Sequence, residues 1–222
     1  MSIVIVDDST HRNVGALPVG VLAALYTTGS PDIRATAQDF ANHPKAIHIC
    51  QDHGSDVTAD ILDSETGAAT PADCAKWVPK ARAAFNAHVR PGQRWPGIYA
   101  SLSSLTPIAN ALVAAKLINV PLWVAEWGLP QTTAISDIVN ASGPYPIVGM
   151  QIKNLLAFDF SLFSSTWLDK SASFPKATIP PGQWKDPHEW TWKSAVSLAG
   201  LGLDGIHHLF VFDPNTGLWV KT

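Results

Sequence analysis

The sequence predicts a mixed α/β fold: an incomplete, TIM-like (β/α) barrel followed by a small α+β appendage. Three observations lead there. Short apolar, β-branched runs alternate with helical stretches through the first three quarters of the 222 residues, the pattern of a parallel sheet. Acids recur where those runs end, at Asp7, Asp63, Glu65, Glu126 and Asp159, and in a parallel barrel the C-terminal strand ends share one rim. A proline-rich stretch, Phe174 to Gln183, then breaks the pattern. An open doubly wound sheet would also gather the acids at one edge, but neither a G-x-G-x-x-G nor a P-loop is present to demand a nucleotide.

The elements follow in order. Ser2 to Val6 reads as a buried strand leading into Asp7-Asp8-Ser9, and Val19 to Tyr26 is a second apolar run closed by the turn signal Thr28-Gly29-Ser30-Pro31. Asp32 to Asn42 is a modest helix. Ala46 to Cys50 and Thr58 to Asp63 are the third and fourth strands. Thr70-Pro71 starts a helix, with Thr as N-cap, Pro at the first position and Asp73 in the first turn. That helix runs to about Val89, where Pro91-Gly92 stops it. Gly97 to Ala100 is a strand, Ser104 to Leu117 a helix, and Leu122 to Glu126 a strand ending on an acid. Ile147 to Gln151 and Leu155 to Phe160 give the seventh and eighth strands; Thr132 to Asn140 carries no clear period. The domain limits are therefore 1–172 for the barrel, 173–183 for a linker and 184–222 for a small module. In the last, His207 to Phe212 and Leu218 to Val220 flank a Pro214-Asn215-Thr216-Gly217 turn.

Composition narrows the function. With 46% hydrophobic residues the chain builds a real core, and a formal net charge of -3 without a Lys/Arg cluster argues against nucleic acid as a partner. No run approaches the ~20 apolar residues of a membrane span, and Met1 to Asp8 lacks the features of a signal peptide. The cysteines, Cys50 and Cys74, allow one disulfide but no framework, and Cys50 reads as a buried small hydrophobe. Of the eight histidines, His48, His53, His88, His188, His207 and His208 are scattered without metal-ligand spacing, and no G-x-S-x-G supports a serine nucleophile. No metal or cofactor is implied.

The stretch Ile61-Leu62-Asp63-Ser64-Glu65 carries the chemistry. If the strand continues through it, Asp63 and Glu65 stand side by side with Ser64 facing away. Like charges that close raise the pKa of one of them, a common way to make an acid. The bland alternative is that the two acids open a solvated loop before Thr70-Pro71.

The order of motifs resembles the family-25 glycoside hydrolases, the lysozyme-type muramidases common in bacteriophage lysins. Five stretches carry the likeness: Ile5-Val6-Asp7-Asp8-Ser9, Asp63-Ser64-Glu65, Gly97-Ile98-Tyr99-Ala100-Ser101, Leu122-Trp123-Val124-Ala125-Glu126-Trp127, and Gln151 followed by Asp159-Phe160-Ser161-Leu162-Phe163. They span roughly residues 3 to 165. The interval from Asp7 to Asp63 is short for that family, so an early helix is missing from the expected barrel. The resemblance implies that Glu65 is the general acid, that Asp63 tunes it and stabilises the transition state, and that Asp7 and Asp159 complete a four-carboxylate rim. Tyr99, Trp123 and Trp127 would supply sugar-binding faces, with core packing the alternative for Trp123. Gln151 and Glu126 are further substrate-binding candidates, Glu126 only because it ends a strand.

Two functions follow. One is a phage-type peptidoglycan hydrolase that cleaves cell-wall glycan by carboxylate acid/base chemistry. The other is a non-catalytic virion protein of the tail or capsid, whose hydrolase-like domain binds carbohydrate or a subunit. Either places the protein in a virion or at the bacterial cell wall. The C-terminal module would reach other virion proteins.

Overall fold

A computed structural model describes residues 3–9, 14, 22–125, 141–154, 159–168, 210–213 and 218–221. The linker 173–183, the start of the C-terminal module and the segment 132–140 lie outside the described residues. Among the described residues the chain forms ten strands and four helices: β1 (Ile3–Ser9), β2 (Leu22–Tyr26), α1 (Ala37–Asn42), β3 (Ile47–Cys50), β4 (Ile61–Asp63), α2 (Pro71–Asn86), β5 (Gly97–Ser101), α3 (Leu102–Ala114), β6 (Leu122–Ala125), β7 (Ile147–Asn154), β8 (Asp159–Ser164), α4 (Ser165–Leu168), β9 (Phe210–Asp213) and β10 (Leu218–Lys221).

The fold is mixed α/β, built on a curled sheet of order β1 to β8. Each strand from β1 to β6 pairs in parallel with the next. β8 differs: it runs antiparallel to both β7 and β1, and so closes the ring. A full (β/α) barrel has eight parallel strands. Here the last strand returns through a short connection instead of a helical crossover, which an antiparallel neighbour permits and a parallel one does not. β9 and β10 form a separate antiparallel pair, matching the hairpin expected in the tail.

Strand alternation builds two cores. Ile47, Ile49, Ile61, Tyr99, Trp123, Ala125 and Phe163 pack into one cluster inside the ring. Their neighbours Cys50, Leu62, Ile98, Ala100, Leu122 and Val124 pack outside against Trp77, Val78 and Ala81 of α2 and Leu105, Ile108 and Leu112 of α3. A period of two on each strand, with both faces buried, explains why these strands read as continuous apolar runs. α2 begins where its sequence says: the Thr70 side chain accepts the Asp73 N–H, Asp73 reaches back to the Thr70 N–H, and Pro71 takes the first turn.

The lumen is filled rather than open. Tyr99 tilts against Trp123 at 4.5 Å, Trp123 meets Phe163 edge-on at 4.8 Å, and Phe163 stacks on Trp167 at 5.3 Å. Gly149 makes this column fit. It pairs with Phe163 across the β7–β8 ladder, and a Cβ there would sit 2.6 Å from the Phe163 ring. Gly149→Ala is therefore expected to lower stability by about 1–3 kcal/mol through overpacking. Chemical denaturation reads this directly, and an unchanged midpoint would mean that the ring shifts freely.

The cysteines are both free and buried, so the disulfide that the sequence allowed is not formed. Burial pushes the Cys74 thiol up to about 11, which leaves it inert. Cys50 closes β3, where its sulfur accepts the Thr28 hydroxyl at 3.6 Å and the Asp56 N–H at 3.4 Å.

Candidate active site

The rim at the C-terminal ends of the parallel strands holds β4's last residue, Asp63. Because Ile61 points into the lumen and Leu62 outward, Asp63 falls on the inner face. Its exposure is only 2%. Burial pushes its carboxyl up from 3.8 to about 6, while the Glu65 main-chain N–H pulls the other way. The cause is thus desolvation, not a crowded neighbouring carboxylate as the D-x-E spacing suggested.

Glu65 is not a pleat neighbour of Asp63. β4 ends at Asp63, and the chain turns at once. The Glu65 N–H donates to Asp63 Oδ1 at 2.9 Å, the Ala68 N–H to the Glu65 carbonyl at 3.0 Å and the Ala69 N–H to the Asp63 carbonyl at 3.1 Å. Ser64 donates its N–H to the Tyr99 carbonyl at 2.8 Å and its hydroxyl to the Ala69 carbonyl at 2.7 Å. Glu65 itself is half-buried at the mouth of the ring.

Tyr99 is the register partner of Asp63 on β5 and of Trp123 on β6. Its hydroxyl donates to Gln151 Oε1. Gln151 is 1% exposed and lies between Ala125 and Ser161 in the sheet; its Nε2 finds no acceptor among the described residues. Trp123 is fully buried and gives its indole N–H to the Ser161 hydroxyl at 3.0 Å. Its ring belongs to the lumen core, and Tyr99 is buried with it, so neither offers an open face to a sugar in this conformation. Ser161 stands where the resembled family usually has Asn; the position is buried and serves Trp123.

The remaining acids come together by topology. Asp159 begins β8 rather than ending a strand. Because β8 is antiparallel, its start lies on the same rim as the ends of the parallel strands. In the ladders, Asp159 pairs with Asp8, and Asp8 pairs with Ala24. Asp7 pairs instead with Phe160 and Ala23. Ala24 belongs to the inner cluster and Ala23 to an outer one with Ala35 and Ala46. By register, Asp8 and Asp159 therefore share a column with the lumen residue, and Asp7 occupies the adjacent column. The sequence reading passed over Asp8, although counting twos from Val4 and Val6 would have marked it. Glu126 and Trp127 lie outside the described residues.

Two further polar contacts lie near the strand ends. The His53 ring meets Asp73 at 3.2 Å, beside a helix start where the Thr70 hydroxyl and N–H hold the Asp73 carboxylate down at about 2. Ser101, which ends β5, contacts the Ser103 and Ser104 hydroxyls at 3.1 Å each. Among the described residues no group of three or more His, Cys, Asp or Glu side chains is placed to hold a metal ion, and no helix is long and apolar enough to cross a membrane.

Asp63 makes stability depend on pH. Its folded pKa lies above the unfolded value, so folding favours the neutral form. The stabilisation is complete below about pH 4, falls as pH rises through about 6, and stays lost above it. The displacement from 3.8 to about 6 corresponds to about 3 kcal/mol. Asp63→Asn keeps an oxygen for the Glu65 N–H and removes the buried charge. It is expected to stabilise the fold at pH 7.5 by up to that amount and to leave it unchanged at pH 3.5. Urea titrations at the two pH values check this; equal effects at both would show that ionisation of Asp63 costs nothing.

No family model matches this chain, and neither a curated protein nor a solved structure matches it.

Proposed function

We propose that this chain is a glycoside-hydrolase-like domain of the muramidase type, an incomplete relative of the (β/α) barrels, that cleaves bacterial cell-wall glycan in a phage setting. The observation that carries the reading is the Asp63–Glu65 corner: a buried carboxyl at a strand end that accepts the main-chain N–H of a second, half-buried acid two residues on. Glycoside cleavage needs a proton donor at the glycosidic oxygen and a second carboxyl near the reacting carbon. Glu65 is the donor in this reading. The backbone pair Asp8–Asp159 brings two more acids to the same rim, and the Gln151 amide offers a buried donor to a substrate oxygen.

A second reading is supported by a different observation. Tyr99 and Trp123, two of the three aromatic residues assigned to sugar contact, are 2% and 0% exposed. A domain whose aromatics have gone into the core fits a non-catalytic virion component that binds glycan or a neighbouring subunit. A turbidity assay on Gram-positive cell walls separates the two. Release by the wild type that disappears in Glu65→Gln supports the hydrolase; retention on walls without release supports the binding protein.

A further inference from the structure

We propose that Asp63 is a positioning residue: by accepting the main-chain N–H of Glu65, its side-chain oxygen ends β4 and sets Glu65 at the mouth of the ring. The inference rests on the hydrolase reading for its consequence, though its geometry stands apart from it.

A D-x-E on an unbroken strand would send both carboxyls to one face. The chain does otherwise. The bond from the Glu65 N–H to Asp63 Oδ1, 2.9 Å long, spans two residues, the arrangement by which Asp and Asn mimic a backbone turn. It competes directly with continuation of the ladder, since a β4 strand extended through Glu65 would spend that N–H on a neighbour. Four further bonds brace the corner, two from Ser64 and one each from Ala68 and Ala69, and Gly67 supplies the left-handed turn at φ +89°. Asp63 is anchored because it is walled in by the lumen and by its register partner Tyr99. The spacing of one residue is therefore set by the reach of a short side chain. Asp or Asn meets it; Glu is one carbon too long, and Ala has no acceptor. What the corner requires is an oxygen at this point, in either protonation state.

The test compares Asp63→Asn, Asp63→Ala and Glu65→Gln in the full chain with two readouts. Amide hydrogen exchange at Glu65 should be unchanged in Asp63→Asn and at least about tenfold faster in Asp63→Ala, where the bond is lost. Asp63→Asn removes the carboxyl that the hydrolase reading places beside the donor, so glycan release should fall in both Asp63 variants, but at least about tenfold further in Asp63→Ala, where Glu65 also loses its hydrogen-bonded corner. Equally low release in Asp63→Asn and Asp63→Ala would overturn the proposal, because the oxygen would then contribute nothing beyond the charge. Unchanged exchange in Asp63→Ala would overturn it too. If Asp63→Ala does not fold, the Asn variant decides through its Glu65 exchange, since faster exchange there is equally fatal. A wild type without release refutes the hydrolase reading, and the exchange measurement alone then settles the positioning.

Discussion

Asp60→Ala is expected to lower the free energy of unfolding by about 3–5 kcal/mol, the usual cost of stranding buried charge. Asp60 is completely buried just before β4, at the end of the ring opposite the candidate site. Its carboxylate accepts from the guanidinium groups of Arg90 and Arg94, from the Arg94 N–H and, at 2.9 Å, from the His48 N–H. The arginines are tied in further. Arg90 Nε donates to the Thr58 carbonyl at 2.8 Å, and Arg94 donates to the carbonyls of Ala46 and Lys45 at 3.2 and 2.9 Å. Removing the single anion leaves two cations facing a core that cannot hydrate them. The same surroundings hold the neighbouring His48 down at about 4, by burial first and Arg90 second. Denaturant titration followed by tryptophan fluorescence measures the loss. A change below about 1 kcal/mol would mean that water reaches the cluster and that it is not the floor of the ring.

On the hydrolase reading, Glu65→Gln is expected to reduce glycan release at least about 100-fold, the scale of a lost general acid. The substitution keeps size, hydrogen-bonding capacity and the main-chain corner, so stability should move little. That contrast is the useful part. Asp60→Ala should damage the fold, and through it everything else, whereas Glu65→Gln should damage chemistry alone. Release rates from purified cell walls, read beside a thermal melt, check both halves. Undiminished release by the variant would remove Glu65 from the donor role, and a collapsed melt would make it a structural residue instead.

Much of the scaffold was legible in the residues. The capping box at Thr70 and Asp73 was readable because its three parts are adjacent in sequence and satisfy helix N–H groups locally. The strands from β3 to β7 were found as apolar runs because helices cover their outer face and the lumen their inner one. Their ends were harder. α1 was drawn from Asp32 and begins at Ala37, where the Thr36 capping box forms. The eighth strand was expected to end at Asp159 and instead begins there, since nothing local to Leu155–Ser164 distinguishes a returning strand from an advancing one.

The residues by themselves determined that this chain is α/β, that strands with acids at their ends follow one another, and that Asp63-Ser64-Glu65 stands at the end of one of those strands. Those are matters of period, caps and short-range spacing. Only the tertiary structure decided that β8 runs backward and carries Asp159 to the rim from the opposite direction. It decided that Asp8 rather than Asp7 pairs with Asp159, that Trp123 belongs to the core, and that Asp63 is made a weak acid by its burial while Glu65 leaves the strand. Each depends on which distant backbone lies alongside and how much water it excludes, and neither quantity is written in any short stretch of chain.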